Sequence, residues 1–116
     1  MNKLVLIPLV NRRWLIYQDF HVSTVATGPL VVPAGFICDL NSIPRFLWWA
    51  STPTDYPEAG TVHDYLYDQQ VGQKLADDVY REVLLQSGMS IARARMRWLA
   101  LRAVGRFAYA SHAKKG

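Results

Sequence analysis

The residue types best suited to chemistry in this chain lie in the run His63-Asp64-Tyr65-Leu66-Tyr67. A free imidazole titrates near pH 6.5, so His63 has the chemistry of a general base or a metal ligand. On a helix His63 and Tyr67 share one face, which also suits a structural histidine hydrogen-bonded to Tyr67 or to a backbone carbonyl. The run therefore leaves a catalytic and a structural role open for His63.

Two further carboxylates could join this histidine. Asp77 lies beside the apolar stripe of a predicted helix, and a short turn before that helix makes it pack antiparallel against the one carrying His63. A half-buried carboxylate needs a partner, which His63 or Arg81 could provide. Asp39 stands where a predicted strand gives way to a helix, a position suited to function or to capping backbone N–H groups. We expect Asp78 to point into solvent.

A hydrolytic site results if these side chains meet. We expect His63 to be the general base for water, with Asp77 or Asp39 orienting it, and Asp39, His63 and Asp64 to hold a divalent cation. Oxygen ligands favour calcium or magnesium, whereas a histidine ligand favours zinc. The chain has no glycine-rich phosphate loop, no His-Glu-x-x-His helix and no Cys-x-x-Cys pair. Cys38 follows apolar residues, which predicts a buried, inert thiol.

Residues 1–40 have the composition of β-structure. β-Branched and aromatic residues are concentrated in three predicted strands, Leu4–Val10, Trp14–Val22 and Leu30–Phe36. Pro8 and Pro33 predict edge or irregular strands, because proline cannot donate to a ladder. We therefore expect a small irregular antiparallel sheet at the N-terminus.

Residues 41–110 have a helical pattern and predict about four helices. The first is short and begins at Ile43 after Ser42; the others span about 58–70, 73–86 and 90–110, with Ser90 capping the last. The third predicted helix has one apolar stripe, formed by Ala76, Val79, Tyr80, Val83 and Leu84. Residues 111–116 form a basic tail. The fold class is α+β, in a single domain covering residues 1–116.

The last predicted helix is apolar on two sides. One face is formed by Met96, Leu99, Ala103 and Phe107, while Ile91, Trp98, Leu101 and Tyr109 lie away from it. Such a helix is buried on both sides or contacts a partner. We expect burial by the rest of the domain, with oligomerisation through this helix as the alternative.

The bulk composition limits the remaining classes of function. The chain has 116 residues, 51% of them hydrophobic, enough for one core, and a single cysteine excludes an internal disulfide. The net charge of +4 is explained by solubility alone. Apart from Lys114-Lys115 the chain has no run dense in lysine and arginine, so we do not expect nucleic acid as a partner. No apolar run approaches the roughly 18 residues of a transmembrane segment. The apolar N-terminus lacks a signal-peptide cleavage site and predicts a first strand instead.

Three motifs in order carry a family resemblance. Residues 32–45 read V-P-A-G-F-I-C-D-L-N-S-I-P-R, followed by H-D-Y-L-Y at 63–67 and by Ala76-Asp77 with Tyr80. The chain resembles, over residues 30–107, the phage and prophage family known as domain of unknown function 1353. That family's pattern is V-P-x-G-F-x-T-D-L-A-S-V-P-R, H-D-x-L-Y and A-D-x-x-F, then a basic, aromatic last helix. Departures are Cys38, Asn41, Tyr80 and the lack of an arginine before Ala76-Asp77.

The resemblance implies a phage genome, with a place among late genes for tail or lysis, and location in the host cytoplasm or the virion. The family's shared polar residues correspond to Asp39, His63, Asp64 and Asp77. The H-D-x-L-Y string is also similar to the H-D-x-C-Y helix of secreted phospholipases A2, where the histidine activates water and the aspartate holds calcium. Here Leu66 stands at the position of the disulfide cysteine, and the glycine-rich calcium loop is absent.

Three functions follow as hypotheses. The first is a hydrolase acting on peptidoglycan or phospholipid of the host cell envelope. The second is a non-catalytic protein of the phage tail, baseplate or assembly pathway, in which the last helix and the Trp48-Trp49 pair contact other phage proteins and the His-Asp cluster is a polar lock between helices. The third, DNA binding through Arg95, Arg102 and Arg106, ranks last because no aromatic stacking platform accompanies these arginines.

Overall fold

The computed structural model describes residues 1–10, 13–38 and 56–115, with side chains up to residue 103. Several sequence predictions lie outside the described residues. They concern Asp39, the short helix expected from Ile43 and the Trp48-Trp49 pair.

The N-terminal part forms two antiparallel sheets of short strands. β1 (Leu6–Pro8), β2 (Trp14–Ile16) and β5 (Ile37–Cys38) form one sheet in the order β1-β2-β5. β3 (Phe20–Thr24) and β4 (Gly28–Val32) form a separate hairpin with Phe20 opposite Val32. The antiparallel prediction is confirmed, but the single strand predicted over 14–22 is wrong, since it divides into β2 and β3.

The division occurs at a corner near Asp19. Its carboxylate accepts a hydrogen bond from the backbone N–H of Ala34 at 2.8 Å, so a side chain replaces the strand partner there. Pro8 and Pro33 lie at an edge strand and just after a strand end, which agrees with the prediction of edge or irregular strands. Pro8 is on β1, which pairs only with β2 among the described strands, and Pro33 follows the last residue of β4.

Three helices follow in the described chain: α1 (Pro57–Asp68), α2 (Gln73–Gln86) and α3 (Ile91–Lys115). The expectation of about four helices is therefore one too many for these residues. Gly72 (φ 122°) and Gly88 (φ 101°) separate the helices with backbone conformations that favour glycine. Ser90 is confirmed as a cap, because its Oγ accepts a hydrogen bond from the Arg93 backbone N–H at 3.3 Å.

Helix α1 occupies the centre of the helical part and contacts α2, α3 and β5. Its residues 59–64 are buried without interruption, so water reaches no side of the helix there. The predicted stripe of α2 is confirmed as core-facing, since all five of its residues are buried. The sheets contribute Ile16, Phe20, Val32 and Cys38 to the same core.

Helix α3 packs against the core with one side only. Ala94, Arg97 and Leu101 are buried, whereas Met96 is 40% and Leu99 51% exposed. The expected burial of both apolar sides by the domain is therefore wrong for the described residues. The reason is geometric, because α1 and α2 both contact α3 on the side of Leu101 and leave the opposite side uncovered. No helix among the described residues has the length and hydropathy needed to cross a bilayer.

Candidate functional site

His63 and Asp77 meet in the interface between α1 and α2. His63 Nε2 lies 2.7 Å from Asp77 Oδ1, and both side chains are 0% exposed. The short turn between the helices makes them antiparallel, which brings the start of α2 alongside the second half of α1. The sequence placed Asp77 at the margin of this core, but the structure places it inside.

The Asp77 carboxylate, on α2, contacts side chains of both other helices, α1 and α3. The Tyr67 hydroxyl donates to Oδ1 at 2.7 Å, and Arg102 Nη1 on α3 donates to Oδ2 at 3.3 Å. Arg81, the alternative partner, instead places its guanidinium 4.9 Å from the centre of the Trp98 ring. Because a buried carboxyl group without partners is costly, these donors are what allow Asp77 to be buried. Nε2 of His63 donates to Asp77 when it carries the ring proton.

Two tyrosines enclose the imidazole. The ring centres of His63 and Tyr67 are 4.1 Å apart, and Tyr80 contacts His63 edge-on at 5.1 Å. The Tyr80 hydroxyl in turn accepts a hydrogen bond from Arg97 Nη1 at 3.1 Å. Burial raises the pKa of Tyr80, against the opposing effect of the Arg97 charge and hydrogen bond. We define the buried network as His63, Tyr67, Asp77, Tyr80, Arg97 and Arg102.

The network opens to solvent at one described member. Arg102 has a side chain that is 35% exposed, while every other member is buried. Among the described residues the network therefore resembles a filled polar core.

Asp64 is also buried, but it lies on a different side of α1 from His63. Successive helical residues point about 100° apart, so the two neighbours do not converge on one point. Among the described residues no group of three histidine, cysteine, aspartate or glutamate side chains is arranged to hold a metal ion. Asp39, the third expected ligand, lies outside the described residues, so cation binding stays a prediction.

Asp78 is less exposed than the prediction that it points into solvent implies. It is partly buried and accepts hydrogen bonds from Lys74 Nζ and from Trp98 Nε1, each at 2.9 Å. Partial burial opposes its ionisation, but these hydrogen bonds and the charges of Lys74 and Arg81 together lower the pKa of Asp78. Through its hydrogen bond with Trp98, Asp78 therefore connects α3 to the solvent-facing side of α2.

Cys38 is a buried free thiol, as the sequence predicted. Its Sγ lies 3.9 Å from Thr61 Oγ1, which joins the end of β5 to α1. This contact gives Cys38 a role in packing β5 against α1.

The sequence did not identify Arg97 and Arg102 as members of the network. The sequence could have indicated that Arg97 is buried, because Ala94, Arg97 and Leu101 are spaced as one helix face. Nothing in the sequence indicates the contact of Arg102 with Asp77, since that contact depends on how α3 crosses the other helices.

Comparison with known proteins gives a family and no activity. Searches of curated proteins and of solved structures found no match to the chain. The family model described as "Protein of unknown function (DUF1353)" matches residues 14–101, a range that contains the buried network except for Arg102. The match covers most of the chain, and the protein therefore belongs to the DUF1353 family.

Proposed function

We propose that this protein is a non-catalytic component of a phage tail, baseplate or assembly pathway, present in the host cytoplasm or the virion. The observation that carries the proposal is the complete burial of His63 and Asp77. A general base must come within hydrogen-bonding distance of water and substrate. An imidazole enclosed by Tyr67, Tyr80 and Asp77 is better suited to holding helices together.

The buried network has the form of a lock between helices. Asp77 on α2 accepts hydrogen bonds from Tyr67 on α1 and Arg102 on α3, and its contact with His63 adds a second link to α1. Buried polar networks of this kind favour one packing arrangement over others, because other arrangements leave buried groups unpaired. The lock supports a rigid domain whose outer surfaces are available for contact with other proteins.

The test compares two histidines of the same chain. His63→Ala is expected to lower the melting temperature strongly, because it removes a buried hydrogen-bonding ring. His21→Ala, on the exposed face of β3, is the matched control and should leave the melting temperature nearly unchanged. Neither the wild type nor the variants should lyse permeabilised Gram-negative cells. Lysis by the wild type that is lost in a folded His63 variant would refute the proposal.

A hydrolase of peptidoglycan or phospholipid is the second candidate, favoured by one observation. The 2.7 Å contact of Asp77 with His63 is of the kind by which a carboxylate orients a catalytic imidazole. In that function His63 is the base, Asp77 or Asp39 orients it, and Asp39 with Asp64 and His63 binds zinc, calcium or magnesium. It requires an open conformation in which water reaches His63.

Chemical modification tests for that open conformation. Diethyl pyrocarbonate acylates accessible imidazoles, and His21 provides an exposed internal reference. The lock predicts that His63 reacts far more slowly than His21, at a rate no faster than unfolding. The hydrolase predicts comparable rates, with protection of His63 by the divalent cation that supports activity.

A further inference from the structure

The side of α3 that faces away from the core carries a narrow apolar stripe. Ala92, Met96, Leu99 and Ala103 are all exposed and follow one another at spacings of four, three and four residues. This alternation is the spacing of the two apolar positions in a coiled-coil heptad, in which a helix buries a narrow seam against another helix. From Ala92 to Ala103 the stripe is about 17 Å long at 1.5 Å per residue. We call these four residues the α3 stripe.

Arginines border the α3 stripe where a heptad places its flanking charges. Arg95 precedes Met96 and Arg102 precedes Ala103, while Arg93 follows Ala92. These are the positions from which side chains reach across to the partner helix and select it by charge. The sequence of α3 contains arginine and lysine but no aspartate or glutamate.

From this arrangement we infer that the α3 stripe binds an acidic amphipathic helix of another protein. The inference rests on the proposed non-catalytic function and names the chemistry of the partner in it. Leucine-type residues on the partner would cover Met96 and Leu99, and its glutamates or aspartates would pair with Arg93 and Arg95. Arg102 is shared, because one of its nitrogens donates to Asp77 while 35% of its side chain is exposed.

Charge distinguishes this partner from a second copy of the chain. Two α3 helices in contact would set arginines at the flanking positions of both, and like charges there are destabilising. A lipid surface fits the stripe less well. Helices that lie in the membrane interface use broad faces with bulky residues, whereas this stripe is narrow and half of it is alanine.

A designed peptide is the probe. It has four heptads with leucine at both core positions and glutamate at both flanking positions, so that its own charges keep it from pairing with itself. The control peptide has lysine in place of every flanking glutamate. The full-length protein is expected to bind the acidic peptide at least about tenfold more tightly than the basic one, and more weakly as salt rises.

Variants locate the binding on α3. Leu99→Glu should weaken binding of the acidic peptide by about tenfold or more, and Arg95→Glu by about fivefold. Leu85→Glu, at an exposed leucine on α2, and Arg13→Glu, at an exposed arginine beside β2, are the matched controls and should bind as the wild type. Met96→Glu replaces Leu99→Glu if circular dichroism shows that the latter has not folded.

Other results would overturn the inference. They are no binding of the acidic peptide, equal binding of both peptides, or equal binding by the Leu99 and Leu85 variants. A wild-type dimer in native mass spectrometry that Leu99→Glu dissociates would assign the stripe to a second copy. Leu99-dependent sedimentation with vesicles of phosphatidylglycerol and phosphatidylcholine would assign it to lipid. If the acidic peptide does not bind and no variant lyses cells, the inference fails but the proposed non-catalytic function does not. If lysis depends on His63, the non-catalytic function is refuted, whether or not the peptide binds.

Discussion

Replacing Asp77 is the sharpest perturbation of the buried network. Asp77→Ala removes the hydrogen-bond partner of two buried groups, Nε2 of His63 and the Tyr67 hydroxyl. Each buried group that loses its partner costs about 1–3 kcal/mol. Arg102 can turn to solvent, because it is 35% exposed, and adds little. The expected loss in the free energy of unfolding is roughly 3–5 kcal/mol, a large share of the about 5–15 kcal/mol typical of a domain.

Asp78→Ala is the matched control, since it removes the neighbouring carboxylate from the same helix. Its partners Lys74 and Trp98 are more accessible to water, so the expected loss is about 1 kcal/mol. Asp77→Asn separates charge from hydrogen bonding, because it keeps one acceptor oxygen and loses the charge opposite Arg102. Urea unfolding followed by circular dichroism measures all three variants. A loss under about 1 kcal/mol for Asp77→Ala would refute the reasoning that the network holds the helices together.

Three further predictions concern the periphery of the network and α3. The pKa of Asp78 is lowered in the fold, so its stabilising effect is present above pH 3.8 and lost as the pH falls through the folded-state pKa; the stability gap between wild type and Asp78→Asn should therefore close in acid. Tyr80→Phe should cost about 1 kcal/mol at neutral pH through loss of the Arg97 hydrogen bond. Because burial raises the pKa of Tyr80, the wild type should lose stability relative to that variant as the pH rises above 10.0. Ser90→Ala should cost about 1 kcal/mol in thermal unfolding, through the cap of α3, whereas an unchanged melting temperature would contradict the capping assignment.

The helical part was predictable where local signals were strong. The bounds of α2 follow from Gly72 and Gly88 on either side of a clear apolar stripe, and the structure has the helix at the predicted residues. The face of α3 was not predictable. Leu99 and Leu101 are equally apolar, and only the direction from which α1 and α2 approach decides which of them is buried.

The candidate site was predictable as a pair but not as a network. A short turn between antiparallel helices was enough to bring His63 near Asp77. Their complete burial was not visible, because it depends on Tyr67 and Tyr80 closing over the imidazole from two helices. The division into two sheets was missed for a similar reason, since the corner near Asp19 includes a hydrogen bond from Ala34, fifteen residues further along the chain.

The uninterrupted burial of residues 59–64 has a consequence for how this chain tolerates change. A single-residue insertion or deletion rotates the rest of a helix by about 100°. A surface helix tolerates this more easily, because its solvent-exposed side has room for different side chains. Helix α1 has no such side over this stretch, so such a change would drive Val62 or His63 into occupied space whichever way the helix turned. Changes in length should therefore be accepted at the exposed turn of the β3–β4 hairpin, at Val25 and Ala26, and rejected throughout the middle of α1.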